Sequence, residues 1–119
     1  MYTIYHNPRC KISRQVLADL KNATQNEIQI VDYTKTKFSH QKLADLLNLL
    51  NVEPLDIIRK KDPLYISQFK NKNFSREEWI QILVENHKLI ERPIVTRGYQ
   101  GVVCRPPERV FELISKQKK

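Results

Sequence analysis

The chain opens with MYTIYHNPRCKISRQVLADLKNATQNEIQIVDY, Met1–Tyr33, and this stretch decides the fold class. Tyr2 to His6 reads as a strand. Ile12, Val16, Leu17 and Leu20 then recur at helical spacing, which predicts a helix from about Lys11 to Ala23. Ile28 to Tyr33 reads as a second strand. A strand, a helix and a strand in so short a run match one βαβ unit, whose two strands lie parallel.

The middle of the chain reads as helical. Ser39 can cap a helix whose Leu43, Leu46, Leu47 and Leu50 share a face. Pro54 can open a short second one through Leu55, Ile57 and Ile58, ending near Lys60, and Pro63 is expected to interrupt the chain. Ser75 with Glu78 forms a capping box, with Phe74 and Trp79 spaced as a hydrophobic staple, for a helix to about Asn86. Strand character returns at Pro93-Ile94-Val95-Thr96, with Arg97-Gly98 as a turn and Tyr99 to Cys104 as the return strand. After Pro106-Pro107, the residues Val110, Leu113 and Ile114 line one face of a terminal helix. The order predicts an α/β domain with a mixed sheet of about four strands.

Composition narrows the function. At 119 residues the chain suits a single domain, 1–119. No apolar run approaches the length of a membrane span, and Met1 leads straight into the first strand without a secretory signal, so a cytoplasmic protein off the membrane is expected. The formal charge of +8 is distributed along the sequence, with a basic tail only at Lys116-Gln117-Lys118-Lys119. Nucleic-acid binding is one reading of that surplus, and a solvated surface is the commoner one. No nucleic-acid partner is therefore expected. Only two glycines occur, which excludes glycine-rich phosphate loops.

There are two cysteines, Cys10 and Cys104. Cys10 falls at the junction of the first strand and first helix, where unpaired N–H groups and the helix dipole favour an anion. A thiolate is such an anion, and Arg9, Lys11 and Arg14 nearby in sequence add positive charge. The alternative for a lone cysteine is simple packing. A dithiol redox motif needs a cysteine at position 13, which is Ser13; a phosphatase-like loop needs arginine at position 16, which is Val16. His6, His40 and His87 with two distant cysteines do not have zinc-ligand spacing, so no metal site is expected. His6 either tunes the thiol or only finishes the strand. Arg59, Arg92 and Arg105 lie at element boundaries, and guanidinium groups fork onto oxyanions, although spacing alone does not bring the three together.

The run Tyr5-His6-Asn7-Pro8-Arg9-Cys10 with Ser13-Arg14, Ile58-Arg59-Lys60, Glu91-Arg92-Pro93-Ile94-Val95 and Cys104-Arg105-Pro106-Pro107-Glu108 together resemble the glutaredoxin-coupled arsenate reductase family, in order over nearly the whole chain. The shorter C-terminal end resembles a branch without the longer C-terminal extension. The resemblance implies a thioredoxin-like fold with a helical insertion, about 39–90, between its two halves, and a cis Pro93 near the active-site cysteine. It implies that Cys10 attacks arsenate, that glutathione is the co-substrate supplying a second thiol with no cofactor bound, and that glutaredoxin is the partner that completes reduction to arsenite. It assigns Arg59, Arg92 and Arg105 to the oxyanion. It places His6 and Ser13 as residues that tune and hydrogen-bond the sulfur, with Asn7 and Arg14 completing the loop. A monomer is expected.

Two alternatives accompany this reading. Cys104 beside Arg105 is either a packed core residue or a disulfide partner for Cys10. The Spx regulators also resemble this fold and length and bind RNA polymerase, but they commonly carry Cys-x-x-Cys where this chain has Cys10 and Ser13. A thiol oxidoreductase of the same fold acting on another substrate is a further alternative.

Overall fold

The computed structural model describes residues 1–117, with side chains described through Ile114. The strands are β1 (Tyr2–His6), β2 (Ile28–Asp32), β3 (Ile94–Arg97) and β4 (Gln100–Val103), and the helices are α1 (Lys11–Ala23), α2 (His40–Leu50), α3 (Pro63–Gln68), α4 (Arg76–Glu85) and α5 (Val110–Gln117). The strands form one mixed sheet in the order β2-β1-β3-β4. β1 runs parallel to β2 and antiparallel to β3, and β3 to β4 is antiparallel. This is the expected α/β, thioredoxin-like arrangement, a βαβ half and a ββα half with helices between them in sequence.

The chain groups into two compact units, residues 1–35 with 92–119, and residues 36–91. The first has a core of alternating strand residues and helix faces. Tyr2 and Ile4 of β1, Val95 of β3 and Val102 of β4 meet Val16 and Leu20 of α1 and Val110, Leu113 and Ile114 of α5. The period of two in the strands and near 3.6 in the helices puts these side chains on facing surfaces. α1 therefore packs on the sheet, and its N-terminus lies at the end of β1.

In the second unit α2 and α4 pack together, burying Leu43, Leu46 and Leu47 from one and Trp79, Ile80 and Leu83 from the other. Both helix starts form as the sequence indicates. Ser39 Oγ accepts the Lys42 N–H at 3.0 Å. Ser75 Oγ accepts the Glu78 N–H at 3.1 Å while Glu78 Oε1 accepts the Ser75 N–H at 2.8 Å. Phe74 meets Trp79 edge-on at 4.9 Å between centroids, closing the staple. Ser75→Ala is expected to lower unfolding free energy by about 1 kcal/mol. Urea denaturation checks this, and an unchanged midpoint would contradict the cap's contribution.

Four local readings need correction. Pro63 does not interrupt the chain: it is the first residue of α3, where its missing N–H costs nothing, and Asp62 caps the helix by accepting the Leu64 N–H at 2.9 Å. The turn opened by Pro54 is a short 3₁₀ segment, Pro54–Ile57, after which Ile58 bridges Ile90. Arg59 therefore follows that bridge rather than ending a helix. Arg97 is the last residue of β3, paired with Gln100, so the hairpin loop is Gly98-Tyr99. Gly98 has φ +61°, the left-handed region that a glycine-first two-residue hairpin requires. β2 ends at Asp32 instead of Tyr33 because Asp32 Oδ1 accepts the Thr34 N–H and hydroxyl, at 3.0 and 2.5 Å, and turns the chain. Of the basic tail, Lys116 and Gln117 belong to the end of α5, and Lys118 and Lys119 lie outside the described residues.

Candidate active site

The first unit builds a thiol site where β1 hands over to α1. Cys10 is the N-cap of α1, in extended conformation, and its carbonyl accepts the first helical hydrogen bond from the Arg14 N–H at 3.0 Å. Asn7 organises the loop from three atoms. Its carbonyl accepts the Cys10 N–H at 3.0 Å, its Oδ1 accepts the Arg9 N–H at 3.0 Å, and its own N–H donates to Ser13 Oγ at 3.1 Å. The Arg14 guanidinium donates to the Pro8 carbonyl at 2.8 Å. These bonds fix the backbone on both sides of the cysteine.

The sulfur is partly exposed and biased toward its thiolate. Burial alone pushes the Cys10 thiol pKa up, but donation from the Ser13 N–H, the Arg92 guanidinium and the Ile12 N–H, with the Arg92 charge, outweighs it and holds the pKa below the ordinary thiol value. These are electrostatic contacts from a helix N-terminus and an arginine rather than a tight oxygen-type cap, since the sulfur closes no side-chain cap bond. Arg105 adds an Nη2 contact to the sulfur at 3.7 Å. It is held there by its Nε, which donates to the Arg92 carbonyl at 2.8 Å. The Arg92-Pro93 peptide is cis, as the resemblance implies, and so is Arg105-Pro106.

The proposed residues thus fall into three groups. Arg92 and Arg105 meet at Cys10. Arg59 lies in the second unit, where its guanidinium reaches Asp62 Oδ2 at 3.4 Å, the Lys88 carbonyl at 3.2 Å and Glu91 Oε1 at 3.9 Å. His6, Ser13, Asn7 and Arg14 lie in or beside the loop, each with a definite set of partners. It is the Ser13 backbone N–H that serves the sulfur. The Ser13 hydroxyl is buried against His6 Nδ1 at 2.7 Å. Burial lowers the His6 pKa despite Asp32, helped by Arg14 and Lys21, so His6 is neutral near pH 7 and brings no charge to the thiol. The positive charge at the sulfur comes from Arg92 and Arg105 rather than from Arg9, Lys11 or Arg14, which are exposed.

Ser13→Ala leaves His6 Nδ1 and the Asn7 N–H without this partner in a buried setting, and is expected to cost about 1–3 kcal/mol of stability. The Cys10 titration should move little, because the backbone N–H remains. Urea unfolding and the pH dependence of Cys10 alkylation check both halves; a large titration shift with unchanged stability would reverse the assignment.

Cys104 has the opposite surroundings. It is fully buried in the core with Tyr2, Ile4, Val16 and Val95, and burial pushes its pKa up to about 12. Both cysteines are free thiols. Cys104 is a core residue, and the disulfide alternative finds no support. Asn7 is in the loop that the resemblance implies, but its three hydrogen bonds were not legible in the sequence, nor was the Arg92 carbonyl as the anchor of Arg105. Asn7-Pro8 is itself a turn signal that pointed to the loop; the anchor depends on β3 and β4 being neighbours.

The surplus charge also has a location. Residues 1–35 and 92–119 carry 12 basic and 5 acidic residues, net +7, against 9 and 8 in residues 36–91, net +1. Charge that looks even along the sequence is concentrated on the unit with the thiol.

Known proteins match this chain across both units. The model of the ArsC family matches residues 5–113. The uncharacterized protein YfgD of Escherichia coli K12 is 39% identical over 93% of this chain and 94% of its own length. An arsenate reductase of Haemophilus influenzae is 37% identical, covering 93% and 97%. The solved structure of an arsenate reductase from Vibrio cholerae superposes with a TM-score of 0.86 at 36% identity, over 93% of this chain and 95% of that one. The match begins at Tyr5 and so spans the Cys10 loop, Arg92 and Arg105 together with the sheet that unites them: the chain belongs to the ArsC family.

Proposed function

We propose that the protein reduces arsenate to arsenite, with Cys10 as nucleophile, glutathione as second thiol and glutaredoxin as the partner that completes the cycle. The observation that carries this reading is one thiol, biased to its thiolate, with the guanidinium groups of Arg92 and Arg105 at the same sulfur. That is a nucleophile beside two oxyanion ligands. Relatives of similar length bear the name arsenate reductase. Arg59 joins the oxyanion set in this reading on its sequence match alone.

The Cys10 thiolate attacks arsenic, a sulfur–arsenic bond forms, and a hydroxyl leaves with a proton as water. Glutathione replaces a second hydroxyl in the same way. A glutaredoxin thiolate then attacks the glutathione sulfur. The glutathione–arsenic bond breaks with its electron pair left on arsenic, which becomes trivalent, while the two sulfurs form a mixed disulfide. Hydrolysis of the Cys10–arsenic bond releases arsenite and restores the thiol. An external thiol is needed because position 13 is serine and Cys104 is sealed in the core. In this reading the chain works as a cytoplasmic monomer without a bound cofactor; among its described residues no helix is long and apolar enough to cross a membrane.

The test is arsenate-dependent NADPH oxidation with glutathione, glutaredoxin and glutathione reductase. Turnover that requires every component is expected. No turnover by the native chain, or a stoichiometric complex with RNA polymerase formed without arsenate, would overturn the reading.

A further inference from the structure

All eight arginines of the chain lie among the described residues, and seven of them have a side-chain partner there. Arg14 bonds the Pro8 carbonyl, Arg59 Asp62, Arg76 Asn48, Arg92 the Cys10 sulfur, Arg97 Tyr2, Arg105 the Arg92 carbonyl and Arg109 Glu112. Arg9 alone has none, and it is exposed. Yet its backbone is among the best fixed in the loop. Its N–H donates to Asn7 Oδ1 at 3.0 Å, the carbonyl of the preceding Pro8 is tied by Arg14 at 2.8 Å, and the N–H of the following Cys10 is tied to Asn7 at 3.0 Å. An exposed guanidinium without a partner among the described residues, on the residue that directly precedes the nucleophile, is free to bind an anion.

The oxyanion already has ligands at the sulfur. The other reactant the proposed reaction needs is a thiol from solution, since the chain's second thiol, Cys104, is sealed in the core. We propose that Arg9 recognises a carboxylate of that thiol co-substrate, and so selects a carboxylate-bearing thiol such as glutathione over neutral ones. A guanidinium forks onto a carboxylate with two parallel hydrogen bonds, and glutathione carries carboxylates on both sides of its thiol. The net +7 of the surrounding unit draws anions in general; Arg9 adds a directional contact beside Cys10. The inference rests on the proposed reaction for its choice of ligand, and its test separates the two.

The full-length chain is compared with Arg9→Gln and Arg9→Lys. In the coupled assay Arg9→Gln is expected to raise the KM for glutathione about tenfold and Arg9→Lys by less, the KM for arsenate moving under about twofold. An unchanged glutathione KM, or an equal rise for arsenate, overturns the proposal. A second measurement needs no arsenate. The Cys10 thiolate attacks one sulfur of oxidised glutathione, the disulfide breaks, and a glutathione thiolate leaves; the same exchange proceeds with neutral hydroxyethyl disulfide. The ratio of the two rates is expected to fall severalfold in Arg9→Gln and to recover partly in Arg9→Lys. An unchanged ratio overturns the assignment of Arg9 whatever happens with arsenate. A lowered ratio in a protein that does not turn arsenate over keeps the carboxylate contact and rejects the reaction.

Discussion

Cys10→Ser is expected to abolish arsenate-dependent turnover, a loss on the order of a thousandfold or more, because the hydroxyl is not ionised where the thiolate is. Loss of a nucleophile is the largest single effect the site allows. Cys104→Ser should keep most of the turnover while lowering stability by about 1–3 kcal/mol, since it places a hydroxyl in an apolar core. The two cysteines differ in surroundings rather than chemistry: one caps a helix beside Arg92, and the other is enclosed by Tyr2, Ile4, Val16 and Val95 with its pKa raised to about 12. Equal loss in both variants, in protein shown to be folded, would mean that Cys104 takes part as a second thiol.

The second large effect belongs to Arg92. Its side chain donates to the Cys10 sulfur and supplies the charge that lowers the thiol pKa, while its carbonyl anchors Arg105. Arg92→Ala removes the first two and keeps the third. The KM for arsenate is expected to rise by about 10- to 100-fold, the range of one lost charge-assisted hydrogen bond. The pH dependence should move with it. In the native protein Cys10 reactivity rises as pH climbs through a midpoint below the ordinary thiol value, because the thiolate is the reactive form. In Arg92→Ala that midpoint moves up, so the loss of reactivity is greatest below it and shrinks at high pH. Alkylation rates across pH measure it; an unchanged midpoint would remove Arg92 from the sulfur.

Much of this was legible in the sequence where the signal is local. The capping serines Ser39 and Ser75, the Phe74–Trp79 staple and the periodicity of α1 act within a few residues, and each forms as its pattern indicates. Cys10 at a strand–helix junction was likewise legible, since an N-cap is a local position. Pro63 was misread because a proline interrupts a helix or opens one, and the difference lies in Asp62 providing the cap. The resemblance names Ser13 as a hydrogen-bonding residue without saying which of its atoms serves the sulfur; the backbone N–H does, while the hydroxyl pairs with His6 at the buried end of β1. Arg105 sits 95 residues from Cys10, and only the strand order β2-β1-β3-β4 brings them together. That long-range placement is legible in the sequence only by resemblance to a family.

If arsenate is captured at the Cys10 thiolate, it protects that sulfur from alkylation. The native chain is treated with iodoacetamide at fixed pH over a range of arsenate concentrations, with sulfate as the control anion. Arsenate is expected to slow Cys10 alkylation saturably and sulfate far less, and Arg92→Ala to need a higher arsenate concentration for the same protection. An alkylation rate independent of arsenate, in protein whose Cys10 reacts readily, would contradict capture at this sulfur.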